Sequence, residues 1–180
     1  LLQLFGTSDY LSDVLIHRPD VFETIIQSGA LTQSKPQEEM ISEFRSVVHG
    51  ISTAESRFSA LADAKRDEEF TIGMRSILGE ADILVTVSDL TRLADTVLKI
   101  GLSIAQEELN NLYGASRSDD GPPGFAVIGL GKLGSFEMNF GSDLDLIFVY
   151  DDSKGETAGL FEEKPSKRDA IPNIDYFFKL

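Results

Sequence analysis

Gly124-Phe-Ala-Val-Ile-Gly-Leu-Gly-Lys-Leu-Gly-Ser-Phe-Glu-Met-Asn-Phe-Gly-Ser-Asp-Leu-Asp-Leu-Ile-Phe-Val-Tyr150 is the stretch on which the fold of this chain turns. It contains two apolar runs, 125–130 and 144–150, that read as strands, with a glycine-rich turn after the first. Gly129-Leu-Gly131-Lys-Leu-Gly134 spells G-x-G-x-x-G directly behind a strand, which in a dinucleotide fold would open a helix onto a pyrophosphate. The spacing argues against that reading. Only Ser135 to Asn139 separate Gly134 from the Phe-Gly-Ser turn into the next strand, whereas a parallel crossover needs at least ~10–12 residues. The acidic residue expected about 20 positions on, at a strand end, is also poorly matched. Gly-Lys-Leu is not a Walker loop either, because G-x-x-x-x-G-K-[ST] is absent.

The second run carries the chemistry. Gly141-Ser-Asp-Leu-Asp-Leu-Ile-Phe148 sets Asp143 and Asp145 two residues apart. Side chains alternate along a strand, so the two carboxylates are expected on one face and Leu144 and Leu146 on the other. Like charges held side by side repel unless a cation lies between them. Mg²⁺ suits such oxygen donors and is commonly shared between one or two carboxylates and substrate phosphates. The upstream glycines let backbone N–H groups approach phosphate oxygens. Strand, glycine turn and strand with Asp-x-Asp thus form a coherent phosphate-plus-metal device.

Upstream the chain reads as helices. Leu11, Val14 and Leu15 are spaced for a helix face capped by Ser8, and Pro19 opens a short helix that Gly29 stops. Met40, Ile41, Phe44, Val47 and Val48 mark a third helix. Ser52-x-x-Glu55 resembles a capping box before Phe58, Leu61 and Ala62, and Phe70, Met74, Ile77 and Leu78 run to Gly79. The longest helix is expected from about Thr86-x-x-Asp89 to Gly114, burying Leu90, Leu93, Ala94, Val97, Leu98, Gly101, Leu102, Ala105, Leu109 and Leu112. Gly114 to Gly124, with its Pro-Pro pair, reads as a linker. The expected division is a helical domain over 1–113, a linker over 114–124 and a strand-bearing domain over 125–180.

Composition sets the outer limits. The 180 residues are 42% hydrophobic and 26% charged, which supports a packed core. A net charge of −14 argues against coating nucleic acid, which needs a cationic face. There is no cysteine, and the two histidines, His17 and His49, are too few for a histidine-rich zinc site. No apolar run approaches the ~20 residues of a membrane span, and Leu1-Leu-Gln-Leu4 has no basic leader. No membrane contact and a cytoplasmic location are expected. The absence of an initial Met predicts a piece of a longer chain.

Gly131-Lys132, ten residues and then Asp143 is similar to the pattern of the polymerase β-like nucleotidyltransferase superfamily, in which an apolar strand and Gly-[Ser/Gly] precede Asp-x-Asp. Lys132 stands where that pattern has Ser; Gly134-Ser135, with a gap of seven, is a second match. The longer string Gly-Lys-Leu-Gly-x-x-Glu-x-Asn-x-x-Ser-Asp-x-Asp-Leu-Ile-Phe over 131–148 resembles the glutamine synthetase adenylyltransferase family. Leu4-Phe-Gly-x-Ser-x-Tyr-Leu-Ser-x-x-Leu-Ile-x-Arg-Pro19 and Leu90-x-x-Leu-Ala-Asp95 resemble it too. The resemblance implies an α+β chain: an N-terminal helical bundle, then the first part of a polymerase β-like fold with a small mixed sheet. It implies transfer of AMP from ATP to a tyrosine of glutamine synthetase, or its phosphorolytic removal, with the wording of 124–145 closer to the adding half. Asp143 and Asp145 would then be catalytic and hold Mg²⁺ or Mn²⁺. Gly131, Lys132, Gly141 and Ser142 would serve the nucleotide, with Lys132 either on phosphate or in solvent. Glu137 is expected to anchor the turn. Glutamine synthetase and the PII signal protein are the implied partners.

The superfamily also uses a third carboxylate on a later strand. Asp151, Asp152, Glu156, Glu162, Glu163, Asp169 and Asp175 follow Tyr150, but 151–170 reads as a charged loop and 175–180 as the start of a helix. An incomplete site with little transferase activity of its own is therefore expected. Two other readings stand beside this one: a polymerase β-like nucleotidyltransferase acting on another acceptor, and a regulatory module that keeps the fold without the chemistry.

Overall fold

A computed structural model of the chain describes residues 6, 9–17, 25, 29–118, 121–151, 155–159 and 170–180. Helix α1 (Asp9–His17) is followed by three longer helices, α2 (Gln37–Val48), α3 (Ala54–Leu78) and α4 (Ile83–Tyr113). Strand β1 (Phe125–Gly129), a single helical turn α5 (Gly131–Gly134), strand β2 (Leu146–Tyr150) and helix α6 (Asn173–Lys179) complete the order. The architecture is α+β. The Ser8 cap and most of the helix expected after Pro19 lie outside the described residues.

The helices form where the apolar spacing and caps call for them. In α2, Met40, Phe44 and Val48 recur every fourth residue and are buried. The two apolar segments expected after Ser52 are one continuous 25-residue helix, α3. Nothing between Ala62 and Phe70 is a glycine or proline, so no residue breaks the backbone ladder there. Its cap is Thr53, one residue beyond the expected Ser52: the Thr53 hydroxyl accepts from the Ser56 N–H at 3.2 Å. Gly79 ends it in the left-handed conformation, φ 78°. Helix α4 begins earlier than expected, because Asp82 caps it by accepting from the Val85 N–H at 2.8 Å.

Helices α2, α3 and α4 share one core of Met40, Phe44, Val48, Leu61, Ile72, Leu90, Leu93, Ile100 and Ile104. Ile100 and Ile104 were missed by the sequence stripe, while Leu98 and Leu102 are only partly buried and turn toward β1. A helix of 31 residues has neighbours on two sides, so a single stripe does not describe it. Beside this core runs a buried ion pair, Arg75 to Asp89 at 2.6 Å, joined by Ser34 and Arg92. A second cluster gathers Leu15, Ile25, Phe70 and Met74.

Strands β1 and β2 pair antiparallel in the register Phe125↔Tyr150 to Gly129↔Leu146. The sheet among the described residues is thus two-stranded and antiparallel, where a small mixed sheet was expected. This pairing removes the dinucleotide reading, which requires parallel strands about a crossover helix. Segment 114–118 is stitched to 155–158 rather than hanging as a loop: Ser116 bridges Thr157, and the Ala158 N–H donates to the Ala115 carbonyl at 2.8 Å. Helix α6 packs Phe177 on Phe125 and Tyr150, with centroids 5.7 and 5.0 Å apart, and joins Tyr176 to Leu109 of α4.

Candidate functional site

The glycine-rich turn leaves β1 at Leu130, whose N–H donates to the Asp145 carbonyl at 2.8 Å. That bond prolongs the hairpin by one step, but the strand itself stops at Leu146. Asp143 and Asp145 therefore precede the strand instead of lying within it, a correction to the expected 144–150. The reason is local: Ser142 to Asp145 is mostly exposed, and beyond Leu130 the facing chain has turned into α5.

Each glycine of the turn has a steric role. Gly131 has φ 52°, and a Cβ there would lie 2.5 Å from Asp145 Oδ2. A Cβ on Gly129 would meet Leu133 Cδ2 at 2.7 Å, and one on Gly134 would meet the Gly129 carbonyl oxygen at 2.7 Å. The G-x-G-x-x-G string thus closes one tight turn onto the strand it leaves. The Gly134 N–H donates to the Leu130 carbonyl and the Ser135 N–H to the Gly131 carbonyl. Gly131 and Asp145 are brought together directly.

A second turn carries Ser142. Its N–H donates to the Asn139 carbonyl at 3.2 Å, and its hydroxyl accepts from the Asn139 N–H at 3.1 Å. Gly141, with φ 67°, supplies the reversal. Lys132 Nζ stands 3.5 Å from Ser142 Oγ, so the two nucleotide-binding candidates meet across the turn. The side chains of Lys132, Asp143 and Asp145 belong to exposed residues. Glu137 enters through its backbone, its N–H donating to the Lys132 carbonyl at 2.8 Å. Its side chain forms no hydrogen bond or ion pair among the described residues, so the expected side-chain anchor is not seen.

The donor set fits a hard divalent cation in kind: two exposed carboxylates, one of them lodged over a glycine that leaves it room. Among the described residues no three or more histidine, aspartate or glutamate side chains gather into a metal-binding group. Asp151, one of the later acids, is engaged elsewhere, accepting from the Gly124 N–H at 2.7 Å. Asp175 lies in the first turn of α6, and Asp152, Glu162, Glu163 and Asp169 lie outside the described residues.

Sequence reasoning missed what holds this loop to the bundle. Met138 is 4% exposed and belongs to the helical core, and its N–H donates to Thr91 Oγ1 of α4 at 3.3 Å. An apolar residue between Glu137 and Asn139 was the available signal. On the bundle side of the hairpin a cleft of about 640 Å³ opens between α4 and β1–α5, lined by Arg92, Lys99, Leu102, Val127, Leu133 and Phe136 among others.

Comparison with known proteins follows the same residues. The sequence model described as glutamate-ammonia ligase adenylyltransferase matches residues 1–168. A bifunctional glutamine synthetase adenylyltransferase/adenylyl-removing enzyme of Thioalkalivibrio sulfidiphilus is 32% identical over 181 residues, covering 100% of this chain and 18% of that protein. The protein of the same description from Rhizobium meliloti is 29% identical over 152 residues, 84% of this chain and 15% of its own length. That of Burkholderia mallei reaches 41% over 96 residues, 52% of this chain and 10% of its own. The chain spans less than a fifth of the length of these curated relatives, 18% in the first case.

Proposed function

Because the chain belongs to the glutamate-ammonia ligase adenylyltransferase family, we propose that its 129–145 region is the nucleotide-binding part of a polymerase β-like site that moves AMP between ATP and a tyrosine of glutamine synthetase. In the forward direction the tyrosyl oxygen attacks the α-phosphorus, the bond to the β-phosphate oxygen breaks, pyrophosphate leaves and the phenolic proton is released. In removal, inorganic phosphate attacks the phosphorus of the tyrosyl-AMP, and ADP and free tyrosine result. The reading assigns 1–113 to a helical domain and 125–180 to the nucleotidyltransferase domain, in a cytoplasmic protein. PII enters as a regulatory partner.

Asp143 and Asp145 would hold Mg²⁺ or Mn²⁺. The ion, when bound, neutralises phosphate charge and orients the triphosphate. The chain's own residues do the rest. Gly131, lacking a side chain, leaves the space that the Asp145 carboxylate takes. Lys132 and Ser142, facing each other at 3.5 Å, offer an ammonium and a hydroxyl to phosphate oxygens at the mouth of the turn. Backbone strain at Gly131 and Gly141 is avoided because both are glycines.

The observation that carries the reading is the seating of Asp145 over Gly131 at the end of an antiparallel hairpin. The experiment is ATP binding by calorimetry with and without Mn²⁺. Wild type is expected to bind only with the metal, and Asp143→Asn plus Asp145→Asn to lose that binding. Equal metal-dependent binding by wild type and the double variant would show that these two acids are not the ligands.

A further inference from the structure

We propose that Thr91, on helix α4, is a positioning residue for the Asp143–Asp145 segment, so that the helical bundle sets the alignment of the nucleotide site. The proposal rests on the reading of that site given above. Of residues 130–145, Met138 alone is buried, and its side chain lies in the core shared by α2, α3 and α4. The loop is therefore plugged into the bundle by Met138, with the partly buried Leu133 packed against the same core. The Met138 N–H donates to Thr91 Oγ1 at 3.3 Å, across 47 positions of sequence. Among the described residues it is the one hydrogen bond between α4 and the loop.

Thr91 is equipped for the task. It is 4% exposed, and its hydroxyl donates to the Val87 carbonyl at 2.8 Å, one turn back in the helix. The donated proton fixes the hydroxyl rotor, which leaves a lone pair for the Met138 N–H. From Met138 the path to the acids is short and bonded. Asn139 follows, it exchanges two hydrogen bonds with Ser142, and Asp143 is the next residue. Shifting the Met138 N–H thus shifts the turn that places Ser142 and Asp143. The rest of the loop is exposed or only half-buried, and its other tie near the acids is the Leu130 N–H to the Asp145 carbonyl, within the hairpin rather than to the bundle.

Thr91→Val keeps the shape of the side chain and removes the acceptor, leaving the Met138 N–H buried without a partner. Two readouts are taken on Thr91→Val, Thr91→Ser and wild type: amide hydrogen exchange, and Mn²⁺-dependent ATP binding. The expected result for Thr91→Val is faster exchange confined to 138–142, and ATP affinity lower on the order of tenfold. Thr91→Ser, which keeps the hydroxyl, is expected to restore both. Should Thr91→Val unfold the bundle, Thr91→Ala makes the same comparison without a methyl facing the amide. Exchange at 138–142 unchanged from wild type would overturn the proposal. So would faster exchange with unaltered ATP affinity, which marks a bond that only stabilises. Loss of metal-dependent binding in wild type itself would instead overturn the nucleotide reading, and the positioning role would fall with it.

Discussion

The Asp145 carboxylate occupies the space that a side chain on Gly131 would fill, its Oδ2 2.5 Å from the Cβ position. Gly131 also has φ 52°. Gly131→Ala is expected to cost about 1–2 kcal/mol of stability from the left-handed backbone, and in addition to displace Asp145. Gly50→Ala is the matched control: φ is 77° and no atom lies within 4 Å of the Cβ position. Both variants should lose similar thermal stability, and only Gly131→Ala should lose Mn²⁺-dependent ATP binding. If both bind ATP as wild type does, the contact with Asp145 has no bearing on the nucleotide.

Met138 ties the loop to the helices by packing as well as by its N–H. Met138→Ala removes a side chain that is 4% exposed from a core of at least nine other buried residues. A loss of about 2–4 kcal/mol is expected, read from urea unfolding. A loss below about 1 kcal/mol would mean that the loop does not depend on this plug.

Arg75 and Asp89 form an ion pair with side chains 5% and 4% exposed. Removing one partner from such a pair strands a charge. Arg75→Met is expected to destabilise the bundle by about 3 kcal/mol, moderated by the Ser34 and Arg92 contacts that remain on Asp89. Arg75→Met with Asp89→Leu should recover part of the loss, since apolar replacement of both members of a buried pair is tolerated while Ser34 and the partly exposed Arg92 give up Asp89 as a partner. A double variant as unstable as the single one would contradict this.

Among the described residues, Lys35 and Tyr176 are expected to make stability fall in alkali. Burial disfavours the Lys35 charge, but Glu68 and Glu43 at 2.6 Å outweigh it and hold its pKa above the ordinary 10.5. Burial holds the Tyr176 phenol above its ordinary 10.0. In each case the folded state keeps a proton that the unfolded chain releases, so stability drops as pH rises past the unfolded values. The Lys35 contribution is whole below its unfolded pKa and is lost as pH climbs through the raised folded value. Melting temperature should hold up to about pH 10 and decline above it. Lys35→Met and Tyr176→Phe should each flatten part of the decline. An unchanged slope in both variants would assign it to other groups.

The sequence by itself determined the helices with clear caps and spacing, the two apolar strands and the identity of the paired acids, because these are properties of neighbouring residues. Met40, Phe44 and Val48 on one face, and Gly79 and Gly114 as stops, were legible for that reason. It also argued against a parallel crossover, from the number of residues available. Tertiary structure alone decided what depends on residues far apart in the chain. The antiparallel register set where β2 begins and left Asp145 at its threshold. The second face of α4, toward Val127 and Leu133, came from the hairpin laid beside it. Thr91 meeting Met138 has no signature in either local pattern, since a hydrogen bond across 47 positions exists only once the bundle has brought them together.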